Sequence, residues 1–199
     1  MSTILVTGGL GFIGSHITLS FLKKRYKVIV IDSLINSSGK IFKKISRIIK
    51  LYGYEEDNIY FRKLDIRDTI LLNKIFIEFK EKGLPIDSVI HCAGLKSIEE
   101  SFYNPLTYWS FNLNSTISLI SVMQSNNCNN LVFSSSATIY DTRILKKNYN
   151  EKSSIYSFNP YGNNKYAIEK ILQDLFNSEP NRWRIASLRY FNPAGAHDS

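Results

Sequence analysis

The chain has 199 residues, 44% of them hydrophobic and 21% charged, with a formal net charge of +8. That length favours one compact domain able to bury a core, and the composition excludes disordered, collagen-like and coiled-coil classes. Two cysteines, Cys92 and Cys128, make neither a disulfide framework nor a metal spacing. No apolar run reaches membrane-spanning length, and the amino terminus runs straight into strand-like residues, so neither a span nor a signal peptide is expected. A reducing cytoplasm is the expected setting, with no metal and no membrane partner. The surplus of basic residues favours anionic partners. Their densest run, Lys40 to Lys50, reads as an amphipathic helix with a solvated basic face; no nucleic-acid-binding signature accompanies it.

In chain order, six short β-branched runs read as buried strands: Ile4–Thr7, Val28–Ile31, Ile59–Phe61, Val89–His91, Leu131–Ser134 and Ile185–Leu188. Five stretches of helical spacing lie between them: Phe12–Lys24, Ile41–Leu51, Ile70–Lys82, Leu106–Gln124 and Tyr161–Asn177. Alternation of this kind predicts right-handed crossovers and a doubly wound, Rossmann-like parallel sheet covered on both faces. Pro105 suits the first turn of the fourth helix, and Gly83-Leu84-Pro85 stops the third. Asp141 to Asn159 is the one long polar connection, and such loops are often functional.

The first strand is followed by Gly8, Gly9, Gly11 and Gly14, which satisfy both G-x-x-G-x-x-G and G-x-G-x-x-G. Glycines here permit a tight turn and close backbone approach, and the following helix offers unpaired N–H groups to a pyrophosphate. Asp32 ends the second strand, where a carboxylate accepts from a ribose diol and repels a 2′-phosphate. NAD is therefore expected over NADP. Asp65, past the third strand, could accept from an adenine amino group, whereas Asp68 reads as a helix N-cap. Cys92, Ala93 and Gly94 supply small residues at the carboxyl end of the sheet, where open α/β sheets bind ligands. His16 reads as helix packing.

Tyr161 and Lys165 lie four residues apart, on one helical face. A second such pair, Tyr166 and Lys170, is turned by about 140° and cannot share the same cleft. Tyr161 is preferred because it opens the helix after the long loop, near the hydroxyl cluster Ser134-Ser135-Ser136 that ends the fifth strand. A free tyrosine titrates near 10, so a base of this kind needs a depressed pKa, expected from the Lys165 ammonium and a positive nicotinamide. The roles that follow are Tyr161 as base and acid, Lys165 as tuner and ribose ligand, and Ser136 as hydrogen-bond partner of the reacting oxygen.

These blocks together resemble the extended short-chain dehydrogenase/reductase superfamily and, within it, its UDP-glucose 4-epimerase branch. The resemblance rests on Val6–His16, Asp32–Ser37, His91–Ser97, Phe133–Tyr140, Asn159–Gly162 with Lys165, and Leu188–His197. It implies NAD that takes and returns a hydride at C4 of a UDP-hexose through a 4-keto sugar. It also implies cofactor contacts from Phe12, Ile13, Asp32, Ser33, Asn36, Ser37, Asp65, Ile66, Cys92, Ala93, Gly94, Lys96, Asn112 and Tyr190. Phe191 would sit by the nicotinamide, Asn192 would face the sugar nucleotide together with Ser136 and Tyr161, and a homodimer would form through the fourth and fifth helices. Phe111 replaces an asparagine usual in that family, and Asp141 replaces a glycine. Residues 1–199 are expected to be the NAD-binding domain, with the family's carboxyl-terminal UDP-sugar-binding domain absent. The alternatives are a sister activity such as a sugar-nucleotide dehydratase or uronate epimerase, disfavoured as a dehydratase by Ala137-Thr138 after Ser136, and a non-catalytic nucleotide-binding module.

Overall fold

The structure is a computed structural model, and it describes residues 2–143 and 148–197. Six parallel strands form one sheet in the order β3-β2-β1-β4-β5-β6. They are β1 (Thr3–Thr7), β2 (Lys27–Asp32), β3 (Ile59–Lys63), β4 (Ile86–His91), β5 (Asn130–Ser136) and β6 (Arg184–Tyr190). The helices are α1 (Phe12–Lys23), α2 (Gly39–Leu51), α3 (Thr69–Glu81), α4 (Ile98–Tyr103), α5 (Pro105–Ser125) and α6 (Pro160–Ser178).

Side chains alternate across a strand, so one apolar run serves two cores. Ile4, Val6, Val28 and Val30 pack with Leu19 and Leu22 of α1 and with Ile45, Ile48 and Ile49 of α2. Leu5, Ile29 and Ile31 face the other way, toward Leu72, Phe76 and Phe79 of α3, Leu119 and Met123 of α5, and Ile168 and Leu172 of α6. Each such buried side chain contributes about 1.5–3 kcal/mol, which is why continuous β-branched runs mark the interior strands. Helix starts follow their caps: Asp68 accepts from the Leu71 amide at 2.9 Å, and Asn159 accepts from the Gly162 amide at 2.7 Å. Pro105 and Pro160 occupy the first turns of α5 and α6.

Two expectations are corrected. The short helix α4, capped by Ser97, was not foreseen, because six residues are too few to show a helical period; the expected fourth and fifth helices are α5 and α6. The sixth strand is not buried: β6 lies at the sheet edge, and Ala186, Ser187 and Leu188 are exposed. The long connection makes bonds of its own: Tyr140 pairs with Ile155 in an antiparallel bridge. There Asp141 receives Arg143 at 2.8 and 2.9 Å, and the guanidinium lies over the Tyr156 ring, 3.6 Å from its centroid. Residues 144–147 of that connection fall outside the described residues. No helix among the described residues is long and apolar enough to cross a membrane, and no group of three metal-ligating side chains is found among them.

Candidate functional site

The chain leaves β1 toward β2 and β3, then returns to β4 on the other side of β1. The two turns at this reversal diverge and leave a crevice at the carboxyl ends of the strands. A cavity of about 320 Å³ lies there.

Its floor is the turn from β1 into α1. Gly8 has φ +63°, and a Cβ there would meet the Ala93 nitrogen at 2.7 Å. A Cβ on Gly14 would meet the Gly8 carbonyl oxygen at 2.3 Å. Backbone therefore lies against backbone with no room for a side chain, which leaves the amino end of α1 facing the cavity. Gly8, Gly11, Phe12, Ile13 and Gly14 all line it.

One wall is built around Asp32. Its Oδ2 accepts from the Leu10 amide at 3.0 Å, and its Oδ1 accepts from the Leu34 amide at 2.9 Å and the Ser37 hydroxyl at 2.6 Å. These bonds tie the loop after β2 to the glycine turn and set Ser33, Asn36 and Ser37 along the cavity. Asp65 and Ile66 continue this wall. Both Asp65 oxygens take Arg67, at 3.0 and 2.6 Å, and that guanidinium holds the carboxyl below its usual range. Arg67 also lies over Phe111, 4.2 Å from the ring centroid, so the unusual phenylalanine is part of a cavity wall covered by a cation.

The opposite wall joins β4, β5, α6 and the end of β6. Cys92, Ala93, Gly94 and Lys96 line it, as do Ser136, Tyr161, Lys165, Tyr190, Phe191 and Asn192. Lys165 is buried and donates to the Ser134 carbonyl oxygen at 2.8 Å; its ammonium lies 4.7 Å from the Phe133 ring centroid and 5.7 Å from that of Tyr161. Burial lowers its pKa to about 8. Burial also pushes the Tyr161 phenol above its ordinary value, with the Ser136 hydroxyl acting against the rise. The expected depression by Lys165 is absent: the ammonium is engaged by a main-chain oxygen, and desolvation of the ring wins. Ser136 itself accepts from the Thr138 amide at 3.2 Å and hydroxyl at 3.0 Å. Burial raises Cys92 to about 11, so its thiol stays protonated and serves as wall.

Of the residues assigned from the sequence to chemistry or to binding the cofactor or the sugar nucleotide, Asn112 alone does not line the cavity. It is buried, its Oδ1 accepting from the Leu95 amide at 2.8 Å and its Nδ2 donating to the Leu95 carbonyl at 3.2 Å, so it fastens the turn after β4 from behind. Of the competing pair, Tyr166 is half-buried, Lys170 is exposed, and neither lines the cavity. His16 is exposed, with Nδ1 2.8 Å from the Phe12 carbonyl oxygen, and packs on its own helix. Sequence reasoning missed Leu64, Ile98 and Thr138 as lining residues. Thr138 lies within the Phe133–Tyr140 block, which was the signal that could have found it.

A doubly wound sheet with a glycine turn, a carboxylate ending its second strand and a tyrosine–lysine pair opposite defines a nucleotide-binding α/β protein of the dehydrogenase type. Residues 4–199 match the NAD dependent epimerase/dehydratase family, and the chain belongs to it. It is 45% identical over 199 residues to UDP-glucose 4-epimerase 1 of Oryza sativa subsp. japonica, covering 100% of this chain and 53% of that protein. The UDP-glucose 4-epimerase of Bifidobacterium longum, solved in complex with NAD+ and UDP, superposes with a TM-score of 0.89 at 39% identity, covering 99% of this chain and 55% of that one. That of Stenotrophomonas maltophila, solved with NAD and formylated UDP-arabinopyranose, gives 0.88 at 37% identity, with 99% and 55% covered. The chain thus spans about half the length of the relatives it matches.

Proposed function

We propose that this chain is the dinucleotide-binding part of a UDP-glucose 4-epimerase, interconverting UDP-glucose and UDP-galactose with NAD held in the cavity. The observation that carries the proposal is that one cavity joins the glycine-rich Gly8–Gly14 turn and Asp32 to Tyr161, Lys165 and Ser136. The cradle fits a dinucleotide, since backbone alone fills the space a Cβ would need at Gly8 and Gly14. Amides at the start of α1 would hold its diphosphate, Asp32 and Ser37 a ribose diol, Asp65 and Ile66 the adenine, and Tyr190 and Phe191 the nicotinamide end. When bound, NAD supplies an acceptor, and later a donor, of hydride.

The protein's own part is proton handling and orientation. Tyr161 removes the proton from the sugar 4-hydroxyl and later returns it, while Ser136 hydrogen-bonds the same oxygen and Asn192 faces the sugar nucleotide. Burial by itself keeps Tyr161 a phenol, so ionisation waits on the positive charge of the oxidised ring together with Lys165. In this reading residues 1–199 are the NAD-binding domain, and the grip on UDP belongs to sequence of the kind the relatives carry beyond the matched half. The protein works as a homodimer through α5 and α6 in a reducing cytoplasm.

Denaturing the purified protein and assaying the supernatant for NAD tests the proposal. Released NAD, or tight uptake of added NAD, is the expected result. A protein that carries none and ignores added NAD overturns it.

A further inference from the structure

Behind the cavity floor runs a buried chain of polar groups that the proton chemistry does not use. His91, the last residue of β4, is 1% exposed. Its Nδ1 lies 2.8 Å from the Thr7 hydroxyl at the end of β1, and its Nε2 lies 3.0 Å from the Thr116 hydroxyl on α5. Thr116 donates to the Asn112 carbonyl oxygen at 3.0 Å, and the Ala93 amide donates to the Thr7 oxygen at 3.4 Å.

Donor counting gives this chain a direction. With its proton committed to Asn112, the Thr116 oxygen accepts from Nε2–H. Nδ1 is then bare and accepts the Thr7 proton, which leaves the Thr7 oxygen to accept the Ala93 amide. A proton on Nδ1 would face the Thr7 hydroxyl and leave that hydroxyl's own proton without a place in the chain. Electrostatics agrees: burial, and then the nearby Lys165 ammonium, lower His91 to about 3, so the ring stays neutral.

Both ends of the chain bear on the cavity. Thr7 precedes Gly8, whose missing Cβ is what lets the Ala93 nitrogen approach. Ala93 and Leu95 line the cavity, and the Asn112 amide that holds Leu95 also reaches Asn164, the neighbour of Lys165, at 3.3 Å.

We infer that His91 is a positioning residue: as the neutral Nε2–H tautomer it bolts the turn after β1 to the turn after β4 and fixes the spacing of the floor on which the dinucleotide lies. The inference rests on the NAD reading above, and its test separates the two.

NAD affinity is measured for the wild-type protein, Thr7→Val, His91→Phe and the double variant, with thermal melts alongside. Nitrogen-15 NMR of the histidines and hydrogen exchange of the Ala93 and Leu95 amides are recorded on the same proteins. Each single variant is expected to weaken NAD binding about tenfold. The double variant should be little worse than the weaker single one, because a broken chain does not break twice. His91→Gln, which keeps a donor toward Thr116, should recover part of the affinity. His91 should show a proton on Nε2 alone from about pH 8 to about pH 5, and Ala93 should exchange faster in Thr7→Val.

A proton on Nδ1, unaltered Ala93 exchange, or additive losses in folded variants would overturn the inference. If His91→Phe does not fold, Thr7→Val and the wild-type NMR signature decide. A wild-type protein that binds no NAD sinks the dinucleotide reading instead, and the tautomer and exchange measurements still judge the bolt.

Discussion

Lys165 gives its hydrogen bond to the main-chain oxygen of Ser134, 2.8 Å away, and not to the phenol one helical turn before it. A buried ammonium held by a neutral oxygen is an electrostatic cost to the fold. Its pKa falls from 10.5 to about 8, and a lysine that loses affinity for its proton on folding destabilises the charged native state.

Lys165→Met should therefore raise stability at pH 7, by up to about 3–4 kcal/mol at roughly 1.4 kcal/mol per pKa unit. Between pH 8 and pH 10.5 the unfolded chain binds more protons than the native one, so wild-type stability gains with pH and the advantage of the variant should shrink. Urea melts of both proteins at neutral and alkaline pH measure this. A variant less stable than wild type at pH 7 contradicts it. The same variant should lose NAD affinity, so stability and function move in opposite directions.

Tyr161→Phe should leave the fold and NAD binding within about threefold of wild type while stopping hydride transfer from a UDP-hexose, a loss of at least about 100-fold for a proton-transfer group. Reduced-nicotinamide absorbance after mixing with UDP-galactose reads it, in a protein that binds the sugar nucleotide. Undiminished reduction removes Tyr161 from the chemistry.

Gly14→Ala places a methyl 2.3 Å from the Gly8 oxygen, a backbone atom with no freedom to withdraw. NAD binding should be lost, with destabilisation of about 1–3 kcal/mol from overpacking. Calorimetric titration with NAD and a thermal melt test the two parts separately.

Asp32→Ala leaves the Leu10 and Leu34 amides and the Ser37 hydroxyl without their acceptor. The cost is about 1–3 kcal/mol for each donor left unsatisfied in the interior and less for those that reach water. Preference for NAD over NADP should narrow as the charge that repels a 2′-phosphate disappears. Comparing the two dissociation constants before and after the change is the check; an unchanged ratio removes Asp32 from cofactor choice.

Acid should weaken the fold through His91. Its native pKa of about 3 lies below the ordinary 6.5, so between those values the unfolded chain takes up a proton that the native ring refuses. Stability then falls as pH falls through that window. His91→Phe should flatten the slope between about pH 6.5 and about pH 4.5, as measured by denaturant midpoints. Parallel slopes would assign the acid sensitivity elsewhere.

Much of this was legible in the residues because the signals are local. The glycine spacing fixes what the backbone can do after β1, the β-branched runs fix which strands can be buried on two faces, and the cap at Asp68 fixes where a helix begins. Those constraints act over a few residues and need no partner from elsewhere in the chain. The choice of Tyr161 over Tyr166 already asked more, since it depended on which side of α6 meets the sheet edge.

Tertiary structure alone decided the rest. Asn112 was legible as a polar residue on α5, but whether it faced the cavity or the back of the turn after β4 depended on how α5 rotates against β4. The sixth strand read as interior by its composition, yet its place at the sheet edge exposes Leu188. The ammonium at Lys165 was expected to draw down the pKa of Tyr161; burial raises it, because desolvation is set by every atom packed around a group and not by the residue four positions away. Sequence determined which backbone paths and chemical groups were available, and only the packing of distant segments determined which way each group faced and how much water it kept.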